Sequence, residues 1–253
     1  MPLRAVLRTL YAPGAKRVMH IGILQCDTVR DEFRPRFGDY PDMFQELLDR
    51  VASGLRYTAY DVSRGEYPET TGTCDAYLLT GSRHGVYDDL PWIAPLAEYV
   101  RTLHRERRRM VGVCFGHQLI SAALGGRAEK SHRGWGVGVA TVKVASRPVW
   151  MRPPRDEYSL IVSHQDQVTQ LPPGGECIAG SEFCPYAALT VDGNVLSFQG
   201  HPEFSTELSR ELMEWRRDIV GAERTAAGVA SLGQPLQDTD VAGWMVGFLR
   251  SSE

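Results

Sequence analysis

Residues 111–118 read Val111-Gly112-Val113-Cys114-Phe115-Gly116-His117-Gln118 and are the most informative stretch of the sequence. An apolar run leads into a cysteine that has glycine two positions before it and two positions after it. A helical pattern of apolar residues follows over 119–124 and ends at two glycines. A side chain on a sharp turn from strand to helix needs small neighbours, because the backbone is crowded there. The pattern therefore predicts a strand, a turn and a helix, with Cys114 on the turn.

The position of Cys114 suits a nucleophile. A helix that starts directly behind the cysteine presents free N–H groups and a partial positive charge, and both stabilise a thiolate. The alternative is a core cysteine that only packs, as most free cysteines do. The paired glycines and a downstream histidine favour the nucleophile. The other four cysteines have no such setting and are predicted to pack or to lie on the surface: Cys26, Cys74, Cys177 and Cys184.

The downstream segment is His201-Pro202-Glu203, which follows a strand-like stretch over 194–198. Proline at 202 biases His201 toward an extended backbone, and side chains two apart on an extended segment point to the same side. Glu203 can then orient the imidazole and stabilise the imidazolium. The alternative is a structural histidine beside a helix start, because Ser205 and Thr206 resemble N-cap residues. For this segment alone, the structural histidine is the favoured interpretation. The presence of the cysteine turn favours the catalytic histidine instead.

Together the two segments resemble the class I glutamine amidotransferases, over about residues 20–220. The resemblance implies a catalytic triad of Cys114, His201 and Glu203, with no cofactor. Thr80-Gly81-Ser82 follows an apolar strand where the family has an oxyanion-hole glycine. The resemblance therefore implies that the N–H groups of Gly81 and Phe115 receive the oxyanion. On its own, Gly81 would be interpreted as an ordinary turn glycine.

Two further residues match positions that border the family's substrate pocket. Gln118 lies four residues after the cysteine, and the resemblance implies that it helps to hold the substrate. His164 lies in a segment, residues 163–168, that resembles the family's His-x-Asp stretch. As a residue of a polar loop, His164 could equally be a plain surface histidine. The histidines and cysteines show no metal-ligand spacing, so no metal is expected.

Within the family, the chain is most similar to stand-alone members that include the γ-glutamyl peptidases, on the basis of residues 38–44 and 163–168. The loop 80–85 departs from the Gly-Gly-Pro type of the nucleotide-synthesising members. The expected function is hydrolysis of the γ-glutamyl amide of glutamine through a cysteine thioester, with a separate synthetase or acceptor subunit as a possible partner. The alternatives are a stand-alone peptidase acting on glutathione-like γ-glutamyl compounds and a non-catalytic binding relative.

The order of apolar segments predicts an α/β fold. Strands alternate with helices in the first half, which favours a mostly parallel central sheet flanked by helices, flavodoxin-like by the resemblance. Asp42 is the expected N-cap of a helix that ends near Gly54. The second half predicts antiparallel additions, with a hairpin turn at Asp192-Gly193. A single helix is expected over 207–220, a linker over 221–233 and a short helix over 241–249.

The division of the chain follows from the same pattern. Residues 1–19 are expected to be an extension outside the fold, residues 20–222 the amidotransferase-like domain, and residues 223–253 a linker with a short helix. The 253 residues carry a formal net charge of −3, which gives no electrostatic reason to expect nucleic acid binding. No stretch approaches the roughly 20 apolar residues that span a bilayer. Five cysteines at irregular spacing suggest a reducing, cytoplasmic setting.

Overall fold

The computed structural model of the chain describes residues 18–251. The predicted N-terminal extension lies outside the described residues except for Val18 and Met19, and Met19 already belongs to the first strand. The described strands are β1 (Met19–Gln25), β2 (Leu55–Asp61), β3 (Ala76–Leu79), β4 (Arg109–Val113), β5 (Arg127–Lys130), β6 (Gly136–Val144), β7 (Glu157–His164), β8 (Asp166–Gln170), β9 (Gly175–Gly180), β10 (Ala188–Val191) and β11 (Val195–Phe198).

The described α-helices are α1 (Arg34–Phe37), α2 (Tyr40–Asp49), α3 (Ile93–Arg105), α4 (Phe115–Ala123), α5 (Thr206–Trp215), α6 (Arg217–Val220), α7 (Ala222–Ser231) and α8 (Asp238–Arg250). Across residues 18–251, nine strands form one sheet in the order β2-β1-β3-β4-β11-β10-β9-β6-β7. Neighbours from β2 to β11 pair in parallel, and the pairs beyond β11 are antiparallel. The predicted parallel core with antiparallel additions is confirmed.

Helices cover both faces of the parallel core. Apolar residues of α2 and α8 pack on one face, and apolar residues of α3 and α4 pack on the other. The central strands β1, β3, β4 and β11 are buried almost throughout, as expected for parallel strands with both faces covered. The polar groups that could do chemistry are therefore confined to the ends of these strands.

Three strands end side by side at one edge of the sheet. Leu79 of β3 pairs with Gly112 of β4, and Phe198 of β11 pairs with Val113 of β4. The residues that follow these strands must therefore be neighbours, and they include Cys114. In parallel sheets, ligands bind beyond the carboxyl ends of the strands. This edge is where a functional site is expected.

The hairpin between β10 and β11 forms where the sequence predicts it. Asp192 and Gly193 both have positive φ angles, 45° and 72°, which a two-residue turn of this kind requires. The turn returns the chain as β11 beside β4. It thereby brings residues near 200 back to the cysteine turn.

The N-cap of α2 differs from the predicted one. Asp39, not Asp42, is the N-cap of α2, and its carboxylate accepts from the Tyr40 N–H group. Asp42 stands three residues into the motif and accepts a hydrogen bond from the Asp39 N–H group at 2.9 Å, which completes a capping box. Proline at position 41 lies in the first turn, where proline is favoured, and this agrees with a cap before it.

The predicted linker over 221–233 is wrong, because α7 occupies Ala222–Ser231. One of the glycines that suggested flexibility, Gly228, is closely packed within this helix. A β-carbon at Gly228 would stand 2.7 Å from the Met213 sulfur. Helix α8 extends the predicted 241–249 helix to Asp238–Arg250 and buries Trp244 and Phe248 in the core. Over residues 18–251, no helix is both long and apolar enough to cross a membrane.

Candidate active site

Cys114 stands on the turn between β4 and α4 in a strained conformation, with φ 51° and ψ −102°. Such a backbone is rarely adopted by residues with side chains and is concentrated at functional sites. The two flanking glycines are sterically required. A β-carbon at Gly112 would lie 2.7 Å from the carbonyl carbon of Gly116, and one at Gly116 would lie 2.6 Å from the Leu79 carbonyl oxygen. The predicted strand–turn–helix geometry is present.

His201 lies beside Cys114, three residues beyond the end of β11. Its N–H group donates to the Ile161 carbonyl at 2.8 Å, so that a single bridge to β7 fixes the backbone. The Nδ1 atom contacts the Oε1 atom of Glu203 at 2.7 Å, and both side chains are buried. The ring of Phe204 stacks on the imidazole, with centroids 4.0 Å apart. The imidazole therefore has one fixed orientation, with Nδ1 occupied by the carboxylate.

Two opposing influences act on the pKa of His201. Burial of the ring lowers the pKa, but the charges of Glu203 and of the neighbouring Cys114 sulfur outweigh burial and raise it to about 10. The buried Glu203 carboxylate thus favours the protonated imidazole. A histidine oriented to take up the thiol proton prepares the cysteine for nucleophilic attack.

The predicted oxyanion donors lie next to Cys114. Gly81 follows β3, and a β-carbon there would stand 3.6 Å from the Cys114 β-carbon and 2.9 Å from the His201 Cε1 atom. Phe115 is the first residue of α4, where N–H groups have no partner within the helix. Among the described residues, neither the Gly81 nor the Phe115 N–H group donates to another protein atom. Two backbone donors are therefore available beside the sulfur.

The Gly81 loop is held by a carboxylate from the end of β1. Asp27 accepts from the backbone N–H group of Arg83 at 2.9 Å and from its Nε atom at 2.7 Å. The Arg83 guanidinium also donates to the Thr28 carbonyl. The Asp27 carboxylate is only 10% exposed. These bonds fix the position of the loop that carries Gly81.

Gln118 and His164 both line the cleft beside Cys114. Gln118 donates from Nε2 to the Asp166 carbonyl at 2.9 Å and to Oε1 of Gln199 at 3.1 Å, and it is almost fully buried. His164 is the last residue of β7 and is buried, so its predicted position in a polar loop is wrong. Burial lowers its pKa to about 4, which keeps the ring neutral.

The cleft has a volume of about 250 Å³ and is mostly polar-lined. Cys114 and His201 lie in its lining, together with groups that the sequence patterns did not indicate. These include Tyr40, Trp135 and Arg216. Arg216 occupies a break between α5 and α6, where a continuous helix over 207–220 was predicted. An arginine in an amphipathic helix gives no sign that it faces a cleft.

The remaining thiols differ from Cys114 in their surroundings. Burial raises the pKa of Cys26 and of Cys184 to about 12, and it also raises the pKa of Cys74 and Cys177. None of these four residues lines the cleft. Within residues 18–251, no cluster of three or more histidine, cysteine or carboxylate side chains could hold a metal ion.

Comparison with known proteins gives the family. The model of the glutamine amidotransferase class-I family matches residues 43–216. A glutamine amidotransferase-like protein of Schizosaccharomyces pombe is 31% identical over 210 residues, covering 77% of this chain and 83% of its own. Gamma-glutamyl peptidase 3 of Arabidopsis thaliana is 26% identical over 208 residues, covering 79% and 82%. The chain therefore belongs to the class I glutamine amidotransferases.

Solved structures of low sequence identity have the same fold. A glutamine amidotransferase of Thermotoga maritima superimposes with a TM-score of 0.72 at 15% identity, covering 92% of this chain and 97% of its own. One from Methylobacillus flagellatus gives a TM-score of 0.69 at 22% identity, covering 92% of both chains. The predicted flavodoxin-like class I amidotransferase fold is confirmed.

Proposed function

We propose that the protein is a cysteine-dependent hydrolase that cleaves the γ-glutamyl amide bond of glutamine or of γ-glutamyl peptides without a cofactor. The observation that carries this proposal is the position of Cys114. It stands on a strained turn at the start of a helix, beside a buried His201 whose other nitrogen is held by Glu203. A nucleophile, an oriented base and adjacent N–H donors are the parts that acyl transfer requires.

The first step forms a thioester. His201 accepts the thiol proton at Nε2, since Nδ1 is held by Glu203, and the sulfur attacks the side-chain carbonyl carbon of the glutamyl group. The carbonyl oxygen gains negative charge and is stabilised by the N–H groups of Gly81 and Phe115. The C–N bond then breaks, and the imidazolium proton passes to the departing nitrogen. Ammonia or an amine leaves, and a γ-glutamyl thioester remains.

The second step is hydrolysis of that thioester. His201 is neutral after the first step and takes a proton from an incoming water molecule, whose oxygen attacks the same carbonyl carbon. The C–S bond breaks, glutamate leaves, and the imidazolium returns its proton to the sulfur. Gln118 and His164 are the substrate-contacting residues in this proposal, because both border the cleft at Cys114.

Two functions share this chemistry and differ in the leaving group. An amidotransferase subunit would pass ammonia to a separate synthetase or acceptor enzyme, whereas a γ-glutamyl peptidase releases an amine and acts alone. The relatives named gamma-glutamyl peptidases support the second function. The relatives named glutamine amidotransferase-like support the first. The unpaired cysteines of the described chain support a cytoplasmic setting.

The test is glutamate release by the purified protein, with L-glutamine and γ-glutamylglycine as separate substrates. Cys114→Ala should abolish release from both, and Cys177→Ala is the matched control because its thiol lies away from the cleft. Turnover of the peptide well above glutamine supports the peptidase. Turnover of glutamine alone supports the amidotransferase. Full activity in Cys114→Ala would exclude the proposed nucleophile.

A further inference from the structure

The cleft beside Cys114 is lined by charges of both signs. Asp88 and Asp166 are its carboxylates, where Asp88 accepts from the Gly85 N–H group and Asp166 accepts from the Tyr87 hydroxyl, both at 2.9 Å. Lys130 also lines the cleft and lowers the pKa of Asp166, although burial outweighs it and raises that pKa. Opposite charge is supplied by Arg216. A substrate that carries both an ammonium and a carboxylate would be oriented by this arrangement.

Arg216 is a cation with no carboxylate partner in the described part of the chain. Its Nη1 atom donates to the Ser163 hydroxyl at 2.9 Å, and its guanidinium carbon lies 5.8 Å from the centre of the Trp135 ring. No Asp or Glu among residues 18–251 comes within 4.0 Å of it. By contrast, Arg83, the other arginine of the cleft, is bonded to Asp27.

Burial makes an unpaired guanidinium costly unless something compensates it. Burial lowers the pKa of Arg216, the neighbouring Tyr40 and Cys114 groups oppose this change, and the charges of Arg30 and Arg83 add to it. A guanidinium has five N–H donors in a planar fork that matches a carboxylate. In the described residues one donor is used, toward Ser163. The remaining donors are available to a bound anion.

Arg216 and His201 line the same cleft as Cys114. The Phe204 ring stacks on His201, and the Tyr40 ring stacks on Phe204 with centroids 6.3 Å apart. A small cavity next to the cleft is lined jointly by Tyr40, Phe204 and Arg216. His201 is the group that gives its proton to the departing nitrogen in the proposed function. The leaving amine therefore departs within the cleft that Arg216 lines.

We infer that Arg216 binds a carboxylate on the leaving-group side of the scissile bond, so that the preferred substrates are γ-glutamyl peptides whose departing amine carries an anionic group. The α-ammonium of the glutamyl part then lies toward Asp88 and Asp166. This inference rests on the proposed function and narrows its substrate class. L-glutamine, whose leaving group is ammonia, cannot use the interaction.

The test compares γ-glutamylglycine with γ-glutamylglycinamide, which differ only in the terminal carboxylate. The wild-type protein should have a kcat/KM about 10- to 100-fold higher for the acid than for the amide, the range of a charge-assisted hydrogen-bonded pair. In Arg216→Met this ratio should fall toward one. The matched control is Arg217→Met, an exposed neighbour paired with Glu214, which should keep the wild-type ratio.

The ratio separates the inference from the proposed function. If the wild-type protein cleaves neither compound, the proposed peptidase function fails. If it cleaves the acid and the amide without preference, both for this dipeptide and for the tripeptide γ-glutamylalanylglycine, or if Arg216→Met lowers all kcat/KM values equally, the function stands and the inference is overturned. The second of these outcomes would mean that Arg216 holds the α-carboxylate of the glutamyl group.

Two additions complete the test. The same comparison with γ-glutamylalanylglycine and its amide moves the carboxylate one residue further out. A wild-type preference for the acid that Arg216→Met abolishes, at either peptide length, supports the inference. If Arg216→Met abolishes no such preference at either length, the inference is overturned. Arg216→Lys keeps the charge without the fork and should give an intermediate ratio. If thermal unfolding shows that Arg216→Met does not fold, the ratio in Arg216→Lys decides, and a wild-type ratio there overturns the inference.

Discussion

Gly81 and His201 approach each other so closely that a β-carbon at position 81 would stand 2.9 Å from the imidazole Cε1 atom. The loop after β3 and the segment after β11 thus meet at Cys114 with no room for another atom. A ring displaced from this position could not keep both its bond to Glu203 and its contact with the sulfur. Glycine at position 81 is therefore required for the His201 imidazole to keep its position.

Gly81→Ala should impair catalysis without unfolding the protein. The added methyl group pushes the ring away or displaces the loop N–H group, and loss of one oxyanion donor costs about 100- to 1,000-fold in kcat. The measurement is kcat and KM for γ-glutamyl substrates together with the thermal midpoint. Gly233→Ala is the control, because a β-carbon there meets nothing within 4 Å. Equal kcat in both variants would contradict this account.

Asp27→Ala should lower kcat about 10- to 100-fold with little change in KM. The carboxylate holds the backbone and guanidinium of Arg83 and so positions Gly81, and a small displacement of a catalytic group has costs of this size. The comparison is Asp31→Ala, whose 88% exposed carboxylate pairs only with Arg34 among the described residues. An unchanged kcat in Asp27→Ala would show that the loop holds its position without the bonds between Asp27 and Arg83.

Iodoacetamide should label Cys114 faster than the other thiols at pH 7. Cys114 lines the cleft beside His201, whereas burial raises the pKa of each of the other four thiols. A thiolate is the species that alkylates. Mass spectrometry of peptides after brief labelling gives the rates, and Glu203→Gln should slow the labelling of Cys114. Uniform slow labelling of all five would count against an activated sulfur.

Acid should destabilise the fold partly through His117. Burial lowers the folded pKa of His117 to about 3, below the roughly 6.5 of an unfolded chain. As pH falls from about 6.5 toward 3, His117 becomes protonated in the unfolded state but stays neutral in the folded state. The free energy of unfolding therefore falls by up to about 1.4 kcal/mol per pH unit.

The check uses His117→Asn, which retains a polar atom for the Ser197 hydroxyl that contacts Nδ1 at 2.8 Å. Urea unfolding of both proteins at pH 7, 6 and 5 should show a flatter pH dependence for the variant. Above pH 7 the two curves should run parallel, because the ring is neutral in both states there. Identical slopes below pH 6 would refute a buried neutral histidine.

Trp244→Ala should lower the free energy of unfolding by about 3 to 5 kcal/mol. The indole is fully buried and donates to the Pro153 carbonyl at 3.0 Å, so the change leaves a cavity and an unsatisfied acceptor. Ile219→Ala is the surface control at 65% exposure and should change stability by no more than about 0.5 kcal/mol. Denaturant unfolding provides both values. Equal stability of the two variants would mean that α8 is dispensable.

Some features could be predicted from the sequence because they depend on residues that are close together in the chain. The glycine at 112 indicates the turn, since a side chain there would collide with Gly116 and Ile120 of the following helix. The glycine at 116 is required by the distant Leu79 instead. His201 and Glu203 meet as predicted, although Pro202 and Glu203 form a turn and not the expected extended segment. The Asp-Gly turn at 192–193 follows from the positive φ angles that those residues tolerate.

Other features were decided by contacts between distant segments. Gly228 lies in a helix packed against Met213, so a composition that suggests a flexible linker forms a structured element instead. Arg216 faces the cleft because the helix breaks there and Ser163, 53 residues earlier, accepts its hydrogen bond. Asp27 meets Arg83 only because β1 and β3 are adjacent strands.

By itself, then, the sequence determined the α/β fold, the family and the candidate nucleophile with its histidine and glutamate, because local backbone sterics and residue order encode them. Only the tertiary structure decided which charges surround that nucleophile. The reason is physical: a charged side chain in an amphipathic pattern has the same local signature whether it faces water or a cleft. Its direction is fixed by packing between segments far apart in the chain.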